Sequence, residues 1–402
     1  MEVKSILTSD NVIAYFQPIL SADSRSVYSY EVLGRFVDSD GTVKSLGPFF
    51  SDASTSDEDA LKIDRLVRRY AMKKYVEEKR TEYLFINIRL AWLEKFADNP
   101  EKLPTMQYIR EFEIAPDRIV IEITEEEFNT SDACIKVLTY YKDAGFRIAL
   151  DDFGKKASNI DRIARINPDI IKINIDYIHR SETSYHYREY MKFLTTFAES
   201  VGIEVLYEGV ETQEQLDICM SSNGRFYQGF LIARPQDSMQ NAFVNHTAFF
   251  ASIERAHEVL HKKIEHIDIL KTSLDSKIGH FLHDNPHFWE KKDIESYLAK
   301  LCNELPEVLR IYLCDGHGYK ISRNFEWNSG KVASYDYRGK NWAWRGFFQE
   351  ALEALIAGRN SCLSTAYCDF ATKKRVFTYF YALGDDVFFF ADINRKPFSA
   401  PL

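Results

Sequence analysis

Glu31, Asn87, Glu122, Asp151, Lys172 and Glu208 follow one another through the first half of this 402-residue chain, each at or near the C-terminal end of a run that reads as a β-strand. One polar group at a strand end is ordinary. A series of them, mostly carboxylates and separated by helix-length stretches, is how a barrel enzyme brings side chains to one mouth. Asp151-Asp152 is the clearest pair, because adjacent carboxylates repel and a hard divalent cation with oxygen ligands is the natural compensation. Glu31, Asn87 and Glu122 add oxygens from other strands, and two cations roughly 3.5–4 Å apart would suit in-line displacement at phosphorus. Lys172 stands inside Ile171-Lys172-Ile173, an apolar run that suits an ammonium only if carboxylates face it. There it would hold an attacking water and offset developing phosphate charge. A solvated strand end or a plain ion pair explains any one of these residues, but not the whole set in strand order.

These residues need strands to carry them. β-branched and aromatic runs bounded by turn residues or charges predict strands at 27–33, 83–88, 119–123, 147–151, 170–173 and 204–208. Amphipathic stretches at 61–75, 134–143 and 187–200 place apolar residues at helical spacing. Alternating strand and helix predicts βα units on a largely parallel sheet, and roughly 240 residues suits a (βα) barrel of about 250. Beyond Arg234-Pro235 the rhythm stops. From Ser238 to Phe281 no proline interrupts apolar residues at three- and four-residue steps, among them Leu260, Ile264, Leu274 and Ile278. That predicts a long amphipathic helix, packed on its own barrel or serving as a dimerising or signal-transmitting connector. Short aromatic strands at 308–314, 376–383 and 387–393, with a helix at 347–357, predict a small α+β domain. Asp315-Gly316 and Gly384-Asp385 read as its hairpin turns. The expected division is 1–240 for the barrel, 241–289 for the connecting helix and 290–402 for a sensor-like domain.

Composition narrows the classes. With 45% hydrophobic and 28% charged residues the chain is globular and long enough for two or three domains. A formal net charge of −9 argues against nonspecific binding of DNA or RNA, while leaving room for a few cations to grip one small anion. The N-terminus lacks a basic segment followed by an apolar one, and no run approaches the roughly 18 apolar residues of a membrane span. The expectation is a cytoplasmic protein. Six scattered cysteines, none at two-residue spacing, read as reduced structural thiols.

With their flanking residues these positions resemble the EAL-domain family of cyclic di-GMP phosphodiesterases. The matching stretches are Gln17-Pro18-Ile19, Tyr30-Glu31-Val32-Leu33-Gly34-Arg35, Asn87, Glu122-Ile123-Thr124-Glu125, Asp151-Asp152-Phe153-Gly154, Lys172-Ile173, Glu208-Gly209-Val210-Glu211-Thr212 and Tyr227-Gln228-Gly229-Phe230. Order and rough spacing agree across residues 10–240. The resemblance implies an α/β fold, a modified TIM (βα)8 barrel, that cuts cyclic di-GMP to linear pGpG with two divalent metals, Mg2+ or Mn2+. It implies that Glu31, Asn87, Glu122, Asp151 and Asp152 are metal ligands. Lys172 and Glu208 would position or activate the water, Glu211 and Gln228 would complete that network, and Glu125 would brace the loop after Asp152. Gln17, Glu31, Leu33, Arg35 and Gln228 would contact the ligand, Arg35 gripping a phosphate as a planar fork can.

Two stretches differ from the family's usual pattern. Lys155-Lys156-Ala157-Ser158-Asn159 lacks the glycine that ordinarily gives the following loop its freedom, and Asn174 replaces an aspartate. The alternative reading rests on them: a weakly active or inactive cyclic di-GMP receptor that signals through the helix and the C-terminal domain. Asn341-Trp342-Ala343-Trp344-Arg345-Gly346-Phe347-Phe348 resembles the Trp/Arg-rich segment of Cache or PAS-like sensor domains, which EAL proteins of the YkuI type join to the barrel by a long helix. Its tryptophans and arginine line either a small-anion pocket or a packed aromatic core. The implied partners are cyclic di-GMP, a second copy in a homodimer, and an unknown small-molecule or protein signal at the C-terminal domain.

Overall fold

The structure, a computed structural model, describes residues 10–124, 131–153, 160–241, 244–328, 331–384 and 386–394. The chain divides into two compact units at His257 and Glu258. The first carries strands β1 (Val12–Ser21), β2 (Val27–Val37), β3 (Val43–Ser45), β4 (Tyr83–Asn87), β5 (Ile119–Thr124), β6 (Arg147–Phe153), β7 (Ile170–Ile173), β8 (Glu204–Tyr207) and β9 (Phe226–Tyr227). Their order is β1-β9-β8-β7-β6-β5-β4-β2, with β3 on the outer side of β2, and a β1–β2 pairing closes the ring. From β2 and β4 through β9 the ring strands run parallel, whereas β1 is antiparallel to both of its neighbours. This is the modified TIM barrel. The expected strands all form; β1, β3 and β9 are additions.

Sequence chemistry fixes the helices between the strands. Ser56 accepts from the Asp59 N–H and three acidic residues fill the first turn of Asp57–Glu77, satisfying and complementing the positive helix end. A capping box of Thr212 and Gln215 starts Gln213–Ser221. Inside the barrel Ile19, Phe85, Val120, Ala149, Ile170, Leu206 and Phe226, each from a different strand, pack into one apolar layer. Side chains on a strand alternate faces. The next inward position, two residues on, is therefore Asn87, Glu122, Asp151, Lys172, Glu208 or Gln228, and in antiparallel β1 two residues back it is Gln17. A dry floor and a polar mouth follow from one period-two rule.

Helix His246–Asp284 starts later than the periodicity from Ser238 suggests, because Asn245 caps it by accepting from the Ala248 N–H at 3.2 Å. Phe249 is buried in the barrel's outer core, with Ile253 and Ala256 packed beside it, while Leu260 and Ile264 are exposed. The second unit is an antiparallel sheet of β10 (Val308–Asp315), β11 (Asn324–Asn328), β12 (Lys331–Tyr335), β13 (Ser361–Leu363), β14 (Tyr367–Cys368), β15 (Arg375–Ala382) and β16 (Val387–Asn394). Its order is β12-β11-β10-β16-β15-β13, with β14 on β15. Alternation along β10 sends Ile311 and Leu313 to one face, under Leu274, Ile278, Leu298 and Leu301. Tyr312 and Cys314 go to the other face, under Phe347, Phe348, Ala351 and Ala354 of helix Gly346–Ile356. The six cysteines are free thiols, only Cys368 being exposed. Among the described residues no helix is long and apolar enough to cross a membrane.

Candidate active site

Lys172 is the centre of the barrel mouth. Its side chain is 1% exposed, and its ammonium lies 3.1 Å from Glu208, 3.3 Å from Asp151 and 3.6 Å from Glu31, with Glu122 in direct contact. A buried ammonium is costly unless carboxylates surround it, and four strands deliver them. Gln228 donates to the other oxygen of Glu31 at 2.6 Å. Gln17, opposite Glu31 in the β1–β2 register, donates to the Ala233 carbonyl at 3.2 Å. Asn87 pairs in register with Glu122.

Adjacent residues of a regular strand point to opposite faces, so Asp151 and Asp152 cannot both reach the mouth from an ideal β6. The strand is not ideal there. Its pairing with β7 shifts register between Leu150 and Phe153, and Asp152 is left-handed at φ 56°, a conformation that costs an L-residue on the order of 1–2 kcal/mol. Such a bulge re-aims side chains, and oxygens of Asp151, Asp152 and Glu208 come within 4.8 Å of one another. Asn174 steadies the turn from the next strand: its amide donates to Asp152, while its Oδ1 accepts from the Asp176 N–H at 2.9 Å and caps helix Ile175–Thr183. Gly209, directly after Glu208, has φ +74°, and a Cβ there would sit 2.6 Å from Cβ of Ile175. Only glycine lets the ends of β7 and β8 approach this closely.

Among the described residues the site is short of positive charge. Burial, and behind it the charges of Glu31 and Asp151, pushes the Glu122 carboxyl well above the usual range despite the pull of Lys172. Glu208 is pushed up to about 8, first by burial and then by the Asp151 charge. Burial would raise Asp151 too, but the Lys172 charge and hydrogen bonds to Asp151 hold it below its ordinary value. Lys172, whose burial favours the neutral form, is kept well above its usual value by Asp151, Glu122, Glu208 and Glu31. One oxygen of Glu122, Oε2, is buried without a hydrogen-bond partner among the described residues, which in a native site calls for an ion or water. Five carboxylates, the orphaned oxygen of Glu122 among them, and one amide oxygen form a hard donor set that fits divalent cations.

Beside the carboxylates a cavity of about 310 Å³ is walled by Leu33, Arg35, Phe50, Asn87, Arg89 and Trp92, among others. That volume is at the lower end for small-molecule pockets, roughly 300–1,000 Å³. The guanidinium of Arg35 stands 5.6 Å over the Tyr15 ring and donates to the Gly34 carbonyl at 2.9 Å. Phe50, Arg89 and Trp92 were not singled out by sequence; Arg89 lies two residues beyond Asn87, just past the strand where period-two reasoning stops. Glu211 is exposed beside the cap of Gln213–Ser221, its N–H donating to Gln215 at 2.8 Å. Glu125 and the loop Lys155–Asn159 lie outside the described residues.

Residues 2–235 match the family model of the EAL domain, and residues 237–398 that of an EAL-domain associated signalling protein domain. The chain is 30% identical over 399 residues to YkuI, an EAL-domain containing protein of Bacillus subtilis, covering 96% of each. It matches the crystal structure of B. subtilis YkuI in complex with its substrate c-di-GMP and calcium at a TM-score of 0.86 and 28% identity, over 98% of both chains. It matches a manganese and cyclic di-GMP complex of Klebsiella pneumoniae BlrP1 at a TM-score of 0.51 and 29% identity, over 57% of each. RocR, a cyclic di-GMP phosphodiesterase of Pseudomonas aeruginosa, is 25% identical over 230 residues, 55% of this chain and 57% of RocR.

Proposed function

The chain belongs to the EAL-domain family, and from that premise we propose that it is a cyclic di-GMP phosphodiesterase that opens the ring to linear pGpG. The observation that carries this reading is the convergence of Glu31, Glu122, Asp151 and Glu208 on buried Lys172, with one Glu122 oxygen left without a partner among the described residues. Relatives whose names or complexes include cyclic di-GMP supply the substrate.

Glu31, Asn87, Glu122, Asp151 and Asp152 would hold two divalent cations, Mg2+ or Mn2+. When bound, these supply Lewis acidity and positive charge for displacement at phosphorus. Lys172 holds the attacking water in line with the phosphate and offsets charge that builds in the transition state. Glu208 accepts the water's proton. Arg35 and Gln17 orient the dinucleotide, which gains an oxygen at phosphorus as one P–O bond of the ring breaks. We place the barrel at 1–240, the connecting helix at 241–289 and a sensor-like domain at 290–402, in a cytoplasmic homodimer whose C-terminal domain controls turnover.

The test is to incubate the chain with cyclic di-GMP and Mn2+ or Mg2+ and to follow pGpG by chromatography. Binding without product would favour the second reading, a receptor. One observation favours that reading: Asn174 donates to an Asp152 oxygen that would otherwise face a cation.

A further inference from the structure

The aromatic and basic segment Asn341–Phe348 lies over one face of the second unit's sheet, and three hydrogen-bond donors there lack matching acceptors. Arg345, just before helix Gly346–Ile356, has its guanidinium 4.4 Å from the ring centre of Phe370, 4.9 Å from Tyr367, 5.3 Å from Trp344 and 5.6 Å from Phe347. Among the described residues no carboxylate pairs with it. Lys320 is 3% exposed, with its ammonium 3.6 Å from the Tyr312 ring centre and 5.2 Å from that of Trp342. Its hydrogen-bond acceptor is the neutral amide of Asn324. The indole N–H of Trp342 is buried with no acceptor among the described residues. The Trp342 and Trp344 rings, 6.4 Å apart, connect the two cations.

The same unit shows what a structural cation looks like. Arg310 bonds Asp369 at 2.7 Å and Asp392 at 3.0 Å, and Asp392 also accepts from Thr378 at 2.7 Å. Asp392 is felt by Lys320 but engaged elsewhere. Burial accordingly pulls the Lys320 ammonium down to about 8. Ring faces attract cations, but they do not replace the in-plane acceptors that a guanidinium fork is shaped for, and buried donors are normally matched. What this face lacks is an anion. Trp344 and Phe370, stacked at 6.4 Å and 15°, are 62% and 63% exposed, and offer ring surface to whatever carries it.

We propose that this face binds a small organic carboxylate: Arg345 takes the carboxylate, Lys320 and Trp342 take a second oxygen of the same molecule, and Trp344 and Phe370 cover its apolar body. The site lies wholly within the second unit and does not depend on the barrel's chemistry. The test is calorimetry on the full chain with salicylate, succinate and inorganic phosphate. Saturable heat is expected from at least one carboxylate. Arg345→Gln should weaken it roughly tenfold or more, Arg345→Lys should lose most of that affinity while keeping the charge, and Lys320→Met should weaken it several-fold. The melting temperature reports folding of each variant, and cyclic di-GMP heat reports the barrel separately. The proposal is overturned if neither carboxylate gives saturable heat, if Arg345→Lys binds as wild type, or if phosphate binds as tightly as the carboxylates.

Discussion

The barrel carries a charge cluster at each end, and the two are built differently. At the N-terminal end of the strands Arg147 bonds Glu204 and the Tyr28 hydroxyl, while Arg225 bonds Glu204 and reaches Asp23 at 2.7 Å. Two guanidinium groups meet two carboxylates, and Tyr28 is held between Tyr83 at 4.7 Å and Phe226 at 4.2 Å. At the C-terminal end, among the described residues, one ammonium faces four carboxylates and a Glu122 oxygen has no partner. Among the described residues the floor is complete as folded, whereas the mouth is complete only with further positive charge. A barrel keeps stability at one end and chemistry at the other, and charge balance shows which is which without reference to any relative.

The largest effect should come from the mouth. Glu122→Gln keeps shape but removes the most buried carboxylate, so hydrolysis should fall by at least about 10²-fold, the scale of losing one positioned electrostatic group. The melting temperature of the cation-free protein should hold or rise, because a carboxyl pushed above its usual range by burial and like charge is a cost to the fold. Rates from product chromatography and a melting curve decide it. Retained activity with lost stability would mean that the mouth is another floor.

The second prediction concerns pH. Glu208 titrates near 8 in the folded chain, against an ordinary value of 4.5. Between those values the folded state holds the extra proton, so the stability of chelator-treated protein should fall as pH rises from 5 to 8. Saturating Mn2+ should flatten or reverse that slope, since cation binding favours the ionised carboxylate. Urea unfolding at several pH values measures both. A slope indifferent to Mn2+ would move the proton away from the mouth.

At the floor, Glu204→Gln leaves two guanidinium groups short of a partner. Exposed pairs contribute about 0.2–1 kcal/mol and breaking a buried one costs about 3–5 kcal/mol. Glu204 is 19% exposed, so a loss of about 1–3 kcal/mol is expected, with turnover within a few-fold of wild type. A collapse of turnover without loss of stability would dissolve the distinction between the two ends.

How much of this was legible beforehand follows from the same geometry. Asn87, Glu122, Asp151, Lys172 and Glu208 each stand at or near the end of a β-branched or aromatic run, so their strands and their common mouth could be read from sequence. The deeper signal is the apolar residue two positions earlier, which marks the inward face. β9 is two residues long, too short for any periodicity, and β1 contains Pro18 and an almost continuously buried run, which obscures alternation. The bulge that turns Asp152 inward depends on how β6 pairs with β7, a relation absent from either segment alone. Asn174 lacks the charge of the aspartate it replaces, and its bonds to Asp152 and to the Asp176 N–H add a role that the sequence does not show, a turn-holding cap.

That cap sets the last and smallest prediction. Asn174→Asp can still accept from the Asp176 N–H, since aspartate and asparagine are comparable helix caps, but it can no longer donate to Asp152. A second carboxylate would then stand against Asp152, adding to the mouth's imbalance and to its demand for cations. The cation-free protein should lose a little stability, and the Mn2+ concentration for half-maximal hydrolysis should fall several-fold; a full tenfold would be about 1.4 kcal/mol. Titrating activity with Mn2+ and recording the melting temperature without it test the two halves together. If the Mn2+ requirement stays put while the melting temperature falls, the Asn174 amide serves only to hold the turn, and the other carboxylates alone set the mouth's demand for cations.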